Sequence, residues 1–377
     1  MRLFLLWVIG FAARVTLLAV PPLIPAIHRD LVMDETAVGA LGGIPVFVMC
    51  VGALAGSLVI ARLGARRATV VGLVIVAAAG ALRGVGPSLG WLLAMTVVMS
   101  AGIALAQLSI PALVAAWEPA NVGRATAVYG NGMLFGEIAG AGLTATVLLA
   151  LVAASWEVAL AVWSVVALAV ALVVAVGPDA RRGSAGAAWW PDWRDGRVWV
   201  AGLTLASASL AYWGGNAHLP DYLTAAGRGS EVPVALASLN GFQLPASILV
   251  GAWPALFVAR RWPLVASGVV ALLSAAALLL GNGALSAVWA GLVGFVAALA
   301  FVLALALPPL LAPAGDVHRF SAGVFAIGYA FAFSGALVAG ALWDATGSSA
   351  MALLPIVVAG ALMVVLGSRL NLTYSRP

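Results

Sequence analysis

Two charged side chains of opposite sign in this 377-residue sequence lie where burial of a charge is energetically unfavourable. Arg14 and Glu137 each lie inside a long apolar run. An arginine at the centre of a bilayer costs about 2.5–3.5 kcal/mol even on the lenient insertion scale, so it needs a partner or a ligand. Its guanidinium stays charged and offers a planar fork of donors to an anion. Two interpretations of Arg14 stay open: it binds an anionic substrate group, or it forms a structural ion pair with Glu137.

Glu137 and His218 are the candidates for proton coupling. A carboxyl group in apolar surroundings favours its protonated form unless a positive partner is near, so Glu137 either carries a proton or pairs with Arg14. His218 has the side chain that titrates near neutral pH, although a packed hydrogen-bonding role is the alternative. Arg83 lies towards the end of its apolar run. It either extends to the lipid headgroups or points inward to a substrate.

Uncharged polar and aromatic side chains in other apolar runs are the remaining candidates for substrate binding. Amides offer both a donor and an acceptor to a polar ligand, and aromatic rings can enclose a small one. The alternatives are hydrogen bonds between helices and placement of aromatic rings at the bilayer interface. The predicted substrate-binding residues, besides Arg14 and Arg83, are Gln107, Gln243, Asn240, Tyr212, Asn216 and Tyr329.

The sequence has few residues in the spacings that catalytic, metal or cofactor sites require. Three histidines, His28, His218 and His318, are far apart, and one cysteine, Cys50, excludes an intramolecular disulfide. No catalytic residues and no metal ligands are predicted. The glycine clusters lack the strand that a dinucleotide-binding loop requires, so we also expect no cofactor. The sequence therefore does not predict an enzyme.

The composition indicates an integral membrane protein. Hydrophobic residues make up 64% of the chain and charged residues only 8%, whereas soluble domains carry about 25% charged residues. The mean hydropathy is +1.13. The net charge of +5 would suggest nucleic acid in a soluble protein, but here it is better explained by basic loops on one membrane face. We expect the lipid bilayer as a partner and no nucleic acid.

Twelve apolar runs are long enough to cross a bilayer as helices, which needs about 20 residues each. The fold class predicted is therefore an all-α membrane protein with twelve transmembrane helices. The runs are 3–27, 37–60, 68–86, 89–116, 124–151, 156–177, 198–222, 232–259, 263–281, 284–312, 320–344 and 349–369.

The arginines set the expected orientation, because positive loops stay in the cytoplasm. The opposite loops hold only Arg29 and Arg228. We therefore expect both termini in the cytoplasm of a multi-pass protein of the cell (inner) membrane. One set of loops and the two tails hold Arg62, Arg66, Arg67, Arg124, Arg181, Arg182, Arg194, Arg197, Arg260, Arg261 and Arg319, with Arg2, Arg369 and Arg376.

The two halves of the chain are similar to each other. LIPAIHRD with Pro25 matches AHLPDYL with Pro220, and GGIPVFV with Pro45 matches FQLPASI with Pro245. Three further pairs follow in the same order. The sequence thus predicts a bundle of six helices over 1–177, a cytoplasmic linker over 178–197 and a second bundle over 198–377.

Two six-helix halves of this kind resemble the major facilitator superfamily, in which substrate binds near the midplane between the halves and rocking gives alternating access. The loop GSLVIARLGARR resembles the superfamily's cytoplasmic motif, with Ala61 where an aspartate is usual.

Within that superfamily the chain is similar to the bacterial cyanate/2-nitroimidazole transporters. AARVTLLAVPPLIPAI, AGALRG, GIALAQLSIPALV and LNGFQLPASILV carry the resemblance, and Glu137 departs from the small residue expected there. The resemblance implies secondary active transport of a small polar or anionic molecule, such as a cyanate-like anion, an organic acid or a nitroheterocycle. It also implies proton coupling and a monomer. The alternatives are a proton-coupled exporter of drug-like compounds and a non-transporting membrane receptor with the same fold.

Overall fold

The computed structural model describes residues 1–31, 33, 35–86, 88–152, 155–180, 188–281, 285–313 and 315–369, without the side chains of 35–39 and 145–146. Arg181, Arg182 and Arg376 of the orientation argument lie outside these residues. The chain forms two compact units. Unit 1 comprises Met1–Asp192 with Ala312–Ala322, and unit 2 comprises Trp193–Leu311 with Gly323–Pro377. They divide inside the predicted linker, and the domain limits given above stay a prediction.

The described elements are helical throughout. Unit 1 contains α1 (Arg2–Leu18), α2 (Ile24–Asp30), α3 (Glu35–Leu63), α4 (Ala65–Leu82), α5 (Leu89–Trp117), α6 (Val122–Ile138), α7 (Leu149–Leu151) and α8 (Trp156–Ala175). Next come α9 (Gly196–Ala225), α10 (Val232–Gly241), α11 (Gln243–Ala252), α12 (Pro254–Phe257), α13 (Trp262–Leu279), α14 (Ser286–Leu311), α15 (Val317–Thr346) and α16 (Leu354–Arg369).

Within the described residues, ten helices are long and apolar enough to cross a membrane. The two predicted spans outside that set, 124–151 and 198–222, also coincide with helix. The first is divided, because α6 has only 17 residues before the helix type changes. The second lies in α9, whose last turns include Asn216, His218 and Asp221. The chain is a multi-pass membrane protein, and the count of twelve crossings stays a prediction.

In unit 1, a seam of glycines in α6 and the π-helix that continues it lets these helices approach the backbone of α1. A β-carbon at Gly132 or Gly136 would overlap the carbonyl oxygen of Trp7 or Phe11, and one at Gly140 would lie 2.7 Å from the oxygen of Val15. The three glycines are four residues apart, and so are the three residues whose carbonyls they meet, which keeps each set on one helix face. Small residues permit such approach where lipid supplies no hydrophobic drive. The seam therefore fixes the register of the two helices.

Unit 2 packs α9 against α14 and α16, while α13 packs against α14 and α16. Gly268 of α13 and Gly360 of α16 face each other's carbonyl oxygens. In unit 1, Gly72 of α4 faces Gly102 of α5 in the same manner. Both units thus use a pair of facing glycines, although Gly72 joins the third predicted span to the fourth and Gly268 joins the ninth to the twelfth.

Four predicted spans are not continuous α-helices, and the twelfth span begins as a 3-10 helix at Ser349–Leu353 before α16. The first ends as α1 at Leu18 and resumes through a 3-10 turn at Pro21–Leu23, because prolines 21 and 22 cannot donate to the preceding turn. The eighth breaks at Phe242, between α10 and α11. The fifth becomes a π-helix over Ala139–Leu148. Such interruptions are frequent at functional sites.

Arginines cap several helices by donating to carbonyls near the C-terminal end, which the helix itself cannot satisfy. Each such bond ties one element to the end of another. The donors and acceptors are Arg2 to Trp117, Arg66 to Ala175 and Gly177, Arg83 to Thr16, Arg197 to Leu311, and Arg228 to Leu278.

Candidate functional site

Arg14 and Glu137 form an ion pair inside unit 1. Nε of Arg14 lies 3.5 Å from Oε1 of Glu137, and the two side chains are 4% and 14% exposed. The glycine seam produces this proximity, because a β-carbon at Gly136 would lie 3.1 Å from Cβ of Arg14. The structure thus contains the pair predicted as one of the two interpretations. Glu137 is the more accessible partner, so the pair is not sealed.

Arg83 occupies the turn after α4 and is 1% exposed. The interpretation that it extends to the headgroups is therefore wrong: its side chain turns inward, and Nη2 donates to the carbonyl oxygen of Thr16 at 3.0 Å. Nε and Nη1 of Arg83 are buried and have no hydrogen-bond partner among the described residues. A buried guanidinium with two unused donors needs an anion or ordered water to complete it.

The two arginines bear on the same stretch of α1. Arg14 is two residues before Thr16, whose carbonyl accepts from Arg83. The broken end of α1 therefore carries one guanidinium and is capped by another. Glu137 pairs with Arg14, and Glu157 of α8 packs against Gly84, the residue after Arg83.

Gln107 is buried in α5, four residues before Pro111. Tyr129 of α6 is also buried, and its backbone oxygen would lie 2.5 Å from a β-carbon at Gly10 of α1. Gln107 is the buried amide of unit 1 in the predicted set. Its role in substrate binding stays a prediction.

In unit 2 the structure brings Tyr212, Asn216, Asn240 and Gln243 together. Nδ2 of Asn216 donates to the carbonyl of Tyr212 at 2.9 Å, within α9. Nδ2 of Asn240, on α10, donates to Oδ1 of Asn216 at 2.9 Å. Nε2 of Gln243, the first residue of α11, donates to Oδ1 of Asn240 at 3.4 Å. These three amides, which we call the amide chain, connect α9 to the break in the eighth span.

The other predicted residues of unit 2 have separate partners. His218 hydrogen-bonds through Nε2 to the carbonyl of Ala336 at 2.9 Å, which joins α9 to α15. Tyr329 is buried and its ring stacks on Phe325, with centroids 5.8 Å apart. The ring of Tyr212 meets Trp213 edge-on at 5.1 Å. This bond is of the kind expected if His218 has a packed hydrogen-bonding role, and its role in proton coupling stays a prediction.

Sequence reasoning missed two polar features. Thr16 matters through its backbone oxygen, for which no side-chain pattern gives a signal. A cluster in unit 2 joins Arg228 to Glu231 at 2.9 Å, and Glu231 also accepts from Ser286. Its signal was available, because Arg228 is one of only two arginines in the predicted outer loops and stands three residues before Glu231. Among the residues that the structure describes, no group of three His, Cys, Asp or Glu side chains could hold a metal ion.

Two units of long apolar helices with buried charges define the class: a helical membrane protein. The family model of the Major Facilitator Superfamily matches residues 6–322. The chain belongs to the major facilitator superfamily.

A curated relative and solved structures extend the comparison. The chain is 25% identical over 367 residues to an uncharacterized transporter, YycB, of Bacillus subtilis (strain 168), covering 96% of this chain and 90% of that protein. The fold is similar to that of FucP, a major facilitator transporter in the outward conformation, with a TM-score of 0.75, 14% identity and 98% of each chain covered. The human organic anion transporter MFSD10 (TETRAN) gives a TM-score of 0.70, 14% identity and 97% of each chain.

Proposed function

We propose that the protein is a secondary active transporter of a small polar or anionic molecule, coupled to protons and working by alternating access. A cyanate-like anion, an organic acid or a nitroheterocycle would fit a site of this kind. Membership of the family does not by itself give the substrate, because the family contains transporters of many substrates.

One observation carries the anionic part of the proposal: Arg83 is buried with Nε and Nη1 unused among the described residues. Leaving buried charged donors unmet costs several kcal/mol, of the order of 3–5 for a broken buried pair. A transported anion would supply the missing acceptor oxygens. The buried Arg14 adds a second guanidinium, on α1, two residues before the carbonyl that Arg83 caps.

The ion pair supports the coupling to protons. An anion that binds Arg14 would compete with Glu137 for the same guanidinium. A carboxylate that loses its counter-charge in an apolar bundle then favours its protonated form. Substrate and proton would then enter unit 1 together. This proposal is supported by two proteins of similar fold, FucP, described as a fucose:proton symporter, and MFSD10, described as an organic anion transporter.

Two rivals differ in the role of the buried charges. In a proton-coupled exporter of uncharged, drug-like compounds, Arg14 would be structural, and acid transport would survive Arg14→Ala. A membrane receptor with this fold would bind its ligand in detergent and show no flux in proteoliposomes.

A thermal-unfolding screen of the purified protein with cyanate, small organic acids and nitroheterocycles tests the proposal. A ligand at about 100 times its Kd stabilises the folded state by about 2.7 kcal/mol, so a true ligand stands out. We expect an acid to raise the unfolding temperature of the wild type and neither Arg14→Ala nor Arg83→Met to respond. Each hit is then followed by proton-driven uptake into proteoliposomes.

Arg67→Ala is the matched control, because Arg67 is exposed on the other end of α4. It should keep the full response. If no acid binds the wild type, or if the response persists in both the Arg14 and Arg83 variants, the anion proposal is wrong. Unchanged proton movement in Glu137→Gln would remove the proposed coupling role of that residue.

A further inference from the structure

A groove in unit 2 opens beside the connection between α12 and α13. Leu264 of α13, three leucines of α14 and Thr204 of α9 line this groove. The leucines of α14 are Leu303, Leu307 and Leu310, whose spacing places them on one helix face. Leu303 and Leu307 are buried and Leu310 is exposed, so the groove opens towards the C-terminal end of α14.

Two polar side chains interrupt the apolar lining of the groove. Thr204 donates its hydroxyl to the carbonyl oxygen of Val200 at 2.8 Å, within its own helix, so this hydrogen is not offered to the groove. Arg260 is exposed and forms no ion pair or hydrogen bond with the residues that the structure describes. Ala259 before it has a φ of +60°, which is uncommon for a residue with a β-carbon, so packing holds the connection in this shape. The groove therefore combines an apolar trough with an unpaired guanidinium.

Neighbouring helix ends add further positive charge. Arg261 is exposed next to Arg260. The carbonyl oxygen of Arg261 lies 3.3 Å from the position of a β-carbon on Gly367, so the last turn of α16 is adjacent. That turn carries Arg369, which is also exposed. Three arginines therefore lie at this end of unit 2.

A carboxylate at the same end of unit 2 is already paired. Asp195 lies there because Arg197 donates to the carbonyl oxygen of Leu311 at 3.3 Å, next to the groove residue Leu310. Nε and Nη2 of Arg197 donate to the carboxylate oxygens of Asp195 at 3.0 and 2.8 Å. Because this pair is neutral, it does not compensate the charge of Arg260.

Exposed tryptophans at both ends of the connection indicate its depth in the membrane. Trp253 and Trp262 are 59% and 47% exposed. Nε1 of Trp262 donates to the carbonyl oxygen of Leu256 at 3.1 Å, and its ring packs on Phe257 with centroids 5.4 Å apart. Tryptophan is enriched at the level of the lipid headgroups. We therefore expect the groove beside this connection to lie at that level.

We propose that the groove binds an anionic phospholipid, with an acyl chain along the leucines of α14 and the phosphate on the guanidinium of Arg260. A planar guanidinium suits phosphate oxygens, and an exposed apolar trough is completed by hydrocarbon. The arginine distribution predicts that this end of unit 2 faces the cytoplasm, where anionic lipids attract basic segments. The site lies within unit 2 and is independent of the proposed substrate.

Lipid titration of the purified full-length protein in detergent tests this proposal. Phosphatidylglycerol is compared with phosphatidylcholine of the same acyl chains, and native mass spectrometry gives the affinity of the most tightly bound lipid. The wild type should prefer phosphatidylglycerol. Arg260→Ala should weaken binding of phosphatidylglycerol about fivefold, the factor expected for one arginine near an anionic lipid surface, and should leave phosphatidylcholine unaffected.

Three further variants separate the charge from the groove. Arg260→Lys keeps the charge and should retain most of the preference. Val258→Phe enlarges a half-buried lining residue and should weaken binding of both lipids, because it fills the groove. Arg67→Ala is the matched control, because it removes one exposed arginine from unit 1, and it should leave the affinity unchanged. Arg260 is exposed, so its variants test the site even if Val258→Phe fails to fold.

Four results would overturn the proposal. Equal affinity of the wild type for the two lipids would mean that Arg260 binds no phosphate. Equal losses in Arg260→Ala and Arg67→Ala would indicate a general attraction between charges rather than a site. Displacement of phosphatidylglycerol by inorganic phosphate would identify a site for a soluble anion. A dimer that Val258→Phe dissociates would identify a second copy of the chain as the occupant.

Discussion

At the scale of single residues, the pair of Arg14 and Glu137 illustrates how a buried charge is tolerated. The guanidinium of Arg14 stays charged, so in the core of unit 1 it needs Glu137 or a ligand as its counter-charge. The 3.5 Å separation and the 14% exposure of Glu137 describe a pair that is formed but still reachable. Such a pair contributes through the cost of breaking it more than through its own attraction.

This asymmetry predicts the behaviour of a double-mutant cycle. Arg14→Met or Glu137→Met alone leaves one buried charge and should lower the free energy of unfolding by about 3–5 kcal/mol. The combined variant removes both charges and should be more stable than either single variant. Thermal unfolding in detergent without ligand measures all four proteins. Additive losses in the double variant would show that the two charges do not compensate each other.

Residue identity predicted part of the site. Arg14 and Glu137 stood out because charge within apolar runs is rare, and depth along the helices made their pairing possible. The bond from Arg83 to Thr16 was not predictable, because it depends on where α4 ends beside α1. Similarly, Asn216 and Asn240 were recognised as polar, but the direction of their hydrogen bonds required the carbonyls of Tyr212 and Leu236.

At the scale of elements, the glycine seam between α1 and α6 positions the ion pair. The β-carbon added by Gly136→Ala would overlap the carbonyl oxygen of Phe11, a backbone atom that cannot turn aside as a flexible side chain could. Overpacking of this kind should cost about 1–3 kcal/mol and separate Arg14 from Glu137. Gly142→Ala is the control, because nothing lies within 4 Å of its added carbon. Unfolding temperatures of the two variants check this, and equal values would contradict the close approach.

Helix capping gives a second prediction at this scale. Arg66 donates to the oxygens of Ala175 and Gly177 at the end of α8 and pairs with Asp179 at 2.7 Å. Because the pair is partly exposed, Arg66→Met should cost only about 1 kcal/mol. Arg67→Met should be nearly neutral, because that side chain is exposed. Chemical denaturation of both variants measures the difference, and a neutral Arg66→Met would mean the cap contributes nothing.

Element boundaries show where sequence patterns stop being informative. Apolar length placed helix at all twelve predicted runs, because a helix satisfies its backbone hydrogen bonds within one segment in lipid. The run 3–27 was treated as one span, yet its two consecutive prolines end α1 at Leu18. The π-helix over Ala139–Leu148 includes Gly140 of the glycine seam, and no residue pattern in the sequence predicts it.

At the scale of the whole molecule, the arginine distribution predicts that both termini face the cytoplasm. Alkaline phosphatase fused after Pro377 should be inactive, and green fluorescent protein at the same position should fluoresce. A fusion in the loop near Arg228 should show the opposite pattern. Active phosphatase at the C-terminus would mean an odd number of crossings or an inverted protein.

The glycine seam has a mechanical consequence for unit 1. Gly132, Gly136 and Gly140 meet the carbonyls of Trp7, Phe11 and Val15, one contact for each turn. A slide of α1 along α6 by a fraction of a turn would bring bulky side chains against backbone, so small slips are blocked and only whole-turn steps, about 5.4 Å, would restore the fit. We therefore expect α1 and α6 to move together, with Arg14 and Glu137 keeping their relative positions.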